Sequence, residues 1–177
     1  MSKPHILICG ERGVGKSTLL RRLLADDPRP LGGFVTKRLA VPDENGFYPI
    51  YIYPAALPEE ERRSGRENLV GVCDGRSSRR YADVFDTLGV EYLAAPAGGV
   101  LLMDELGFLE NEAAAFQAAV LRALDGDTPV LAAVKPKDTA FLRRVRAHPK
   151  AELFQIDESS RDGLYETLRP RMPGRGR

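Results

Sequence analysis

Residues 10–17 read Gly10-Glu11-Arg12-Gly13-Val14-Gly15-Lys16-Ser17, the spacing G-x-x-x-x-G-K-[ST]. The stretch follows a short apolar run, 5–9, directly and opens a segment in which leucines at 19, 20, 23 and 24 recur at helical spacing until Pro28 and Pro30 end it. Strand, glycine turn and helix in immediate succession suit an anion. The glycines let the backbone curl so that successive N–H groups point inward, and the helix presents its positive end to the same point. The candidate triphosphate-binding residues are therefore Gly10, Gly13, Val14, Gly15, Lys16, Ser17 and Thr18. Lys16 would neutralise the β- and γ-phosphates, Ser17 would place its hydroxyl on Mg²⁺, and Thr18 packs behind it. The side chains of Glu11, Arg12 and Val14 are spacers.

A second apolar run, 99–103, ends in Asp104-Glu105-Leu106-Gly107. Such a run reads as a strand of a parallel sheet buried on both faces, whose carboxyl end opens toward a ligand crevice. Asp104 is then the candidate Mg²⁺ ligand beside Ser17, and Glu105 the candidate base that orients or deprotonates a water. Lys16 and Glu105 are the expected catalytic pair.

Between these motifs, 33–39 and 48–53 read as strands joined through Asn45-Gly46, a strong turn signal, and so as an inserted β-hairpin. A solvated loop or short exposed helix over 58–67, a strand over 69–73 and a short helix over 86–95 follow. From residue 100 the pattern alternates: strand 100–103, helix 112–124, strand 130–134, helix 140–148, strand 153–156, helix 161–168. Strands and helices alternating at these lengths imply right-handed β-α-β units. The expected fold is a three-layer α/β sandwich with a mostly parallel sheet and a small antiparallel addition, in one domain over 1–168. Residues 169–177, rich in Arg, Gly and Pro, read as a tail outside the core.

With 26 Lys and Arg against 25 Asp and Glu in 177 residues, no bulk field recruits nucleic acid or anionic lipid. Four apolar residues before the glycine loop are too few for a signal peptide or a membrane span, and a cytoplasmic setting is expected. Cys9 and Cys73 sit in apolar runs and read as buried core residues, neither a zinc pattern nor a disulfide framework. His5 and His148 have no partner pattern and read as structural. Phe47, Tyr48, Tyr51 and Tyr53 read as packing for the hairpin, and Arg76, Arg79 and Arg80 as a solvated basic loop.

The two motifs, the Gly33-Phe34-Val35-Thr36 strand between them, Glu110, Phe116 and Ser160-Arg161-Asp162 together resemble the small nucleoside-triphosphatase family that includes the bacterial and archaeal THEP-type enzymes and the human cancer-related nucleoside triphosphatase. The likeness runs from His5 to about Leu168. It implies a RecA-like P-loop NTPase core that hydrolyses ATP, GTP and other nucleoside triphosphates to diphosphate and phosphate, with loose preference among bases. Two positions depart from the family pattern. Phe108 stands where members commonly carry a lysine, which makes Lys135 and Lys137, just beyond strand 130–134, the candidate substitutes. Ser160 replaces an asparagine before Arg161 and Asp162, themselves candidates for base or phosphate contact. A phosphate loop also serves small-molecule or nucleotide kinases and slow nucleotide-dependent switches; hydrolysis is favoured because Glu105 supplies a water-positioning carboxylate and no acceptor motif is recognisable.

Overall fold

The computed structural model describes residues 3–172. One eight-stranded sheet runs through it, in the order β5-β4-β3-β2-β6-β7-β1-β8. The strands are β1 (His5–Cys9), β2 (Leu31–Arg38), β3 (Tyr48–Pro54), β4 (Leu69–Cys73), β5 (Ser78–Arg80), β6 (Val100–Leu106), β7 (Val130–Val134) and β8 (Ala151–Gln155). The helices are α1 (Lys16–Leu24), α2 (Ala82–Val84), which continues through a π-helical Phe85–Gly89 into α3 (Val90–Tyr92), α4 (Ala114–Asp125), α5 (Ala140–Arg146) and α6 (Arg161–Leu168). Pairings from β2 through β6, β7 and β1 to β8 are all parallel, whereas β2-β3, β3-β4 and β4-β5 are antiparallel.

Period-two alternation along the central strands sorts their side chains onto two faces. Leu7, Leu101, Met103, Val130, Ala132 and Val134 face a core shared with Phe85, with Phe116 and Val120 of α4, and with Leu142 and Val145 of α5. Ile6, Ile8, Val100, Leu102, Leu131 and Ala133 face the opposite core, with Leu19, Leu20 and Leu23 of α1 and Leu168 of α6. Helices thus cover both faces of the sheet, the expected three-layer arrangement. Among the described residues no helix is long and apolar enough to cross a membrane.

The antiparallel part is larger than a hairpin. Residues 31–38 are the parallel partner of β6 as well as the antiparallel partner of β3, so the turn at Asn45-Gly46 extends the main sheet rather than adding a separate flap. The arginine-rich stretch read as a loop contains β5, which pairs with β4 through Gly71↔Arg80 and Cys73↔Ser78. Strand β6 runs three residues past its expected end and carries Asp104 and Glu105 within it. Cys9 is buried, but Cys73 is only partly so, because it ends β4 beside the sheet's three-residue edge strand. At the carboxyl end, Arg169–Arg171 forms a 3₁₀ turn and Met172 packs into the α1–α6 core, so order continues past the boundary expected at 168. The remainder of the expected tail, 173–177, lies outside the described residues.

Histidine 5 ties three elements together. Its Nδ1 accepts the Val130 N–H at 3.2 Å, which leaves Nε2 to donate to the Leu124 carbonyl at 2.8 Å. Burial lowers its pKa, in keeping with a neutral structural ring. Gly33 permits the close approach of β2 to β6: its φ is 96°, and a Cβ there would lie 1.9 Å from the Leu102 carbonyl oxygen. Gly33→Ala is therefore expected to lower unfolding free energy by at least about 2 kcal/mol in a denaturant titration, through left-handed backbone strain and direct overlap together.

Candidate functional site

Loop 10–15 joins the carboxyl end of β1 to the start of α1, and its sharp curl needs positive φ at Gly13 (81°) and Gly15 (103°), which only glycine adopts without strain. Gly15 is the N-cap of α1, and no side chain caps that end. The first-turn N–H groups therefore point into a cleft of about 270 Å³ lined by Arg12, Gly13, Gly15, Lys16, Ser17, Thr18, Thr36, Asp104 and Glu105. Gly10 and Val14 do not line it: Gly10 is buried against Ile156, and Val14 packs toward the α1 core. Thr18 faces the cleft and is exposed, where the sequence reading had packed it behind Ser17; it lies one residue farther around the helix, on the open side.

Strand β7 lies between β1 and β6, so the loop and the acidic strand end are separated by one strand width, and side chains bridge the gap. Ser17 Oγ donates to Asp104 Oδ1 at 2.8 Å. Lys16, only 5% exposed, donates to the carbonyls of Gly10 (2.7 Å) and Glu11 (2.8 Å), and its Nζ lies 3.6 Å from Glu105 Oε2. The other Glu105 oxygen lies 3.2 Å from Lys135 Nζ, at the carboxyl end of β7. Glu105 occupies a β-bulge: Asp104 pairs with Ala133 and Leu106 with Val134, which leaves Glu105 as the extra residue. A bulge re-aims one side chain at the cost of a local bend in its strand, and here it lets two consecutive carboxylates serve the same cleft.

Burial is the main reason that the Asp104 pKa is raised; the nearby Glu105 charge adds to it, while the Ser17 hydrogen bond, Arg21 and Lys16 oppose it. A buried carboxylate without a directly paired ammonium favours a cation. The Ser17 hydroxyl and the Asp104 carboxylate form an all-oxygen donor pair of the kind Mg²⁺ takes. No group of three or more His, Cys, Asp and Glu gathers to hold a metal among the described residues, so an ion here would draw its other ligands from phosphate oxygens and water.

Of the two candidate substitute lysines, only Lys135 reaches the site; Lys137 is exposed and lines none of the clefts around it. Phe108 lies beneath the Arg80 guanidinium, 5.0 Å from ring centroid to Cζ, and lines a neighbouring cleft rather than the one at the glycine loop. The stem of Arg161 passes over the loop, 3.5 Å from where a Cβ on Gly15 would stand, and Asp162 lies in the first turn of α6. Tyr48 carries the Arg38 guanidinium, and Tyr53 hydrogen-bonds Ser64, so these rings pack the antiparallel extension as expected.

Two contributors were marked in the sequence only as part of the family resemblance, with no role of their own. The Thr36 hydroxyl sits between the Asp104 carbonyl and the Glu105 N–H, 3.4 Å from each, and so touches the bulge from β2. Glu110 is fully buried and accepts the Gly107 N–H, closing the turn that follows the acidic strand. Burial pushes its carboxyl up to about 7. The family resemblance singled out Glu110 in the sequence, but not its burial.

Comparison with known proteins agrees with this architecture. The family model described as NTPase matches residues 5–168. The nucleoside-triphosphatase THEP1 of Thermotoga petrophila is 27% identical over 167 residues, covering 92% of this chain and 89% of that protein. Its namesake from Methanothermobacter thermautotrophicus is 29% identical over 171 residues, covering 90% and 91%. The crystal structure of THEP1 from the hyperthermophile Aquifex aeolicus superposes with a TM-score of 0.72 at 20% identity, over 96% of this chain and 99% of that one, and so shares the fold.

The buried Glu110 has a consequence for stability. Its folded pKa of about 7 exceeds the ordinary 4.5, so the folded state holds the proton more tightly and loses stability as pH rises between those values, levelling above about 7. The full span corresponds to roughly 3 kcal/mol. Glu110→Gln keeps an acceptor for the Gly107 N–H but cannot ionise. Its unfolding free energy is expected to lack that decline when both proteins are titrated with denaturant from pH 4.5 to 8.

Proposed function

The chain belongs to the NTPase family, whose model spans 5–168, and from that premise we propose that it catalyses Mg²⁺-dependent hydrolysis of nucleoside triphosphates to nucleoside diphosphate and phosphate, with little regard to the base. The observation that carries this reading is the position of Glu105. A carboxylate re-aimed by a bulge stands at the rim of a glycine-loop cleft, next to the lysine and hydroxyl of that loop.

In the proposed reaction the loop N–H groups hold the phosphate chain, and Lys16 leaves the carbonyls of Gly10 and Glu11 to meet the β- and γ-phosphate oxygens. Transfer of Lys16 to phosphate also frees one Glu105 oxygen, while Lys135 keeps the other oriented. Glu105 positions a water in line with the γ-phosphorus and accepts its proton as the new O–P bond forms and the bond to the β-bridging oxygen breaks. Ser17 and Asp104 are the residues that would hold Mg²⁺, which supplies charge neutralisation across the β- and γ-phosphates. The loose base preference follows from a site whose identified groups all address phosphate. A cytoplasmic setting, with both cysteines free, belongs to the same proposal.

Phosphate release from ATP, GTP, CTP and UTP, measured with Mg²⁺ and without any acceptor, tests the reading directly. The four kcat/KM values are expected within roughly tenfold of one another, about 1.4 kcal/mol in transition-state binding, and activity should vanish on chelation. A thousandfold preference for one base would reveal a dedicated base pocket instead.

Glu105→Gln is expected to lower kcat at least about a hundredfold while triphosphate affinity stays within a few-fold. Lys16→Ala should instead weaken triphosphate binding itself. Parental phosphate release from Glu105→Gln would remove the proposed base.

A further inference from the structure

A second cleft, of about 150 Å³, lies on the other side of Glu105 and shares Arg12, Thr36 and Glu105 with the first. Arg38, Lys135 and Ser78 add polar groups to its wall, and Ile50, Phe85, Phe108 and Leu109 supply the apolar part. Its cations outnumber its carboxylates, since Arg12, Arg38 and Lys135 face only Glu105 and the buried Glu110. Lys135 is paired with Glu105, but neither Arg12 nor Arg38 has an ion pair among the described residues.

Arg38 is the telling residue. Its guanidinium carbon lies over the Tyr48 ring, 4.1 Å from the centroid. Its Nε is shut off from solvent and has no hydrogen-bond partner, the one such buried side-chain nitrogen or oxygen among the described residues. A buried donor left unmade is costly, and charged donors more so. An arginine with no side-chain hydrogen bond or ion pair among the described residues, in a cleft wall with two more cations and two hydroxyls, suits a tetrahedral oxyanion. The volume equals about five water molecules, enough for a phosphate group.

We propose that this cleft is a phosphate-binding subsite next to the hydrolytic centre, held by Arg38, Lys135 and Arg12. It rests on the proposed function only in its source of ligand: a γ-phosphate cleaved at Glu105 would be released at the mouth of the cleft. The phosphate group of a second small molecule presents the same chemistry, with Phe85, Phe108 and Leu109 available to its apolar part.

Orthophosphate and phenyl phosphate, titrated separately by calorimetry into the nucleotide-free protein, test the assignment. In parental protein at least one of them should bind, and Arg38→Gln should weaken that binding at least tenfold. Lys135→Gln, at a partly exposed position, should weaken it severalfold and keeps the test open if Arg38→Gln fails to fold. Lys16→Ala, which disables the first cleft, should leave the Kd within about threefold. Comparable affinity for the two probes identifies the subsite with released product. Affinity for phenyl phosphate ten times tighter or better identifies it with a second, aryl-bearing molecule. No binding of either probe, or binding lost in Lys16→Ala and unaffected in Arg38→Gln, overturns the proposal. Hydrolysis that persists in that case leaves the Glu105 reading standing.

Discussion

The hydrogen bond from Ser17 to Asp104 joins two elements that the sheet itself keeps apart. The loop hangs from β1 and the carboxylates from β6, and β7 separates the two strands. Every other relation in the site depends on holding that span. Lys16 can reach Glu105 only because α1 is anchored with its first turn toward β6, and Lys135 can reach the same carboxylate only because β7 ends between them. The intervening strand is thus part of the site and supplies its second ammonium.

The carboxylates themselves are divided by environment. Asp104 is buried and bonded to a hydroxyl, an arrangement that leaves its charge poorly compensated until a cation arrives. Glu105, one residue on, is more exposed and lies between two ammonium groups. Adjacent residues of a regular strand point to opposite faces. The bulge reconciles adjacency in sequence with convergence in space, and Thr36 from β2 touches the carbonyl and the N–H of the single peptide that joins the two residues.

Much of this was legible in the sequence because it is local. The glycine loop, the helix after it and the acidic end of β6 each carry their signal within a few residues. The three-layer class followed from alternation alone. What was not legible depends on pairings between distant segments. The β5 strand is three residues with no apolar alternation, visible only once β4 lies beside it. Thr36 was marked only as part of the Gly33-Phe34-Val35-Thr36 strand, and its contact with the Asp104–Glu105 peptide exists only because β6 is its neighbour. Arg38 gave no sign that one of its nitrogens would be enclosed without an acceptor, since that depends on Tyr48, ten residues on, and on the enclosing sheet. Cys73 looked buried because its run is apolar, yet it ends a strand beside a short edge.

Strand order also bears on how the polypeptide matures during synthesis. The β2-β3-β4-β5 meander pairs neighbours in sequence and can assemble as soon as residue 80 or so has left the ribosome. The strand that carries the phosphate loop is made first, yet its two partners, β7 and β8, are made among the last: Ile6 awaits both Leu131 and Glu152. Until then β1 is an apolar ribbon with both edges bare, and the glycine loop has no fixed base from which to curl. A fixed base for the glycine loop thus waits on residues 130–155, and until they emerge β1 is the strand most open to mispairing.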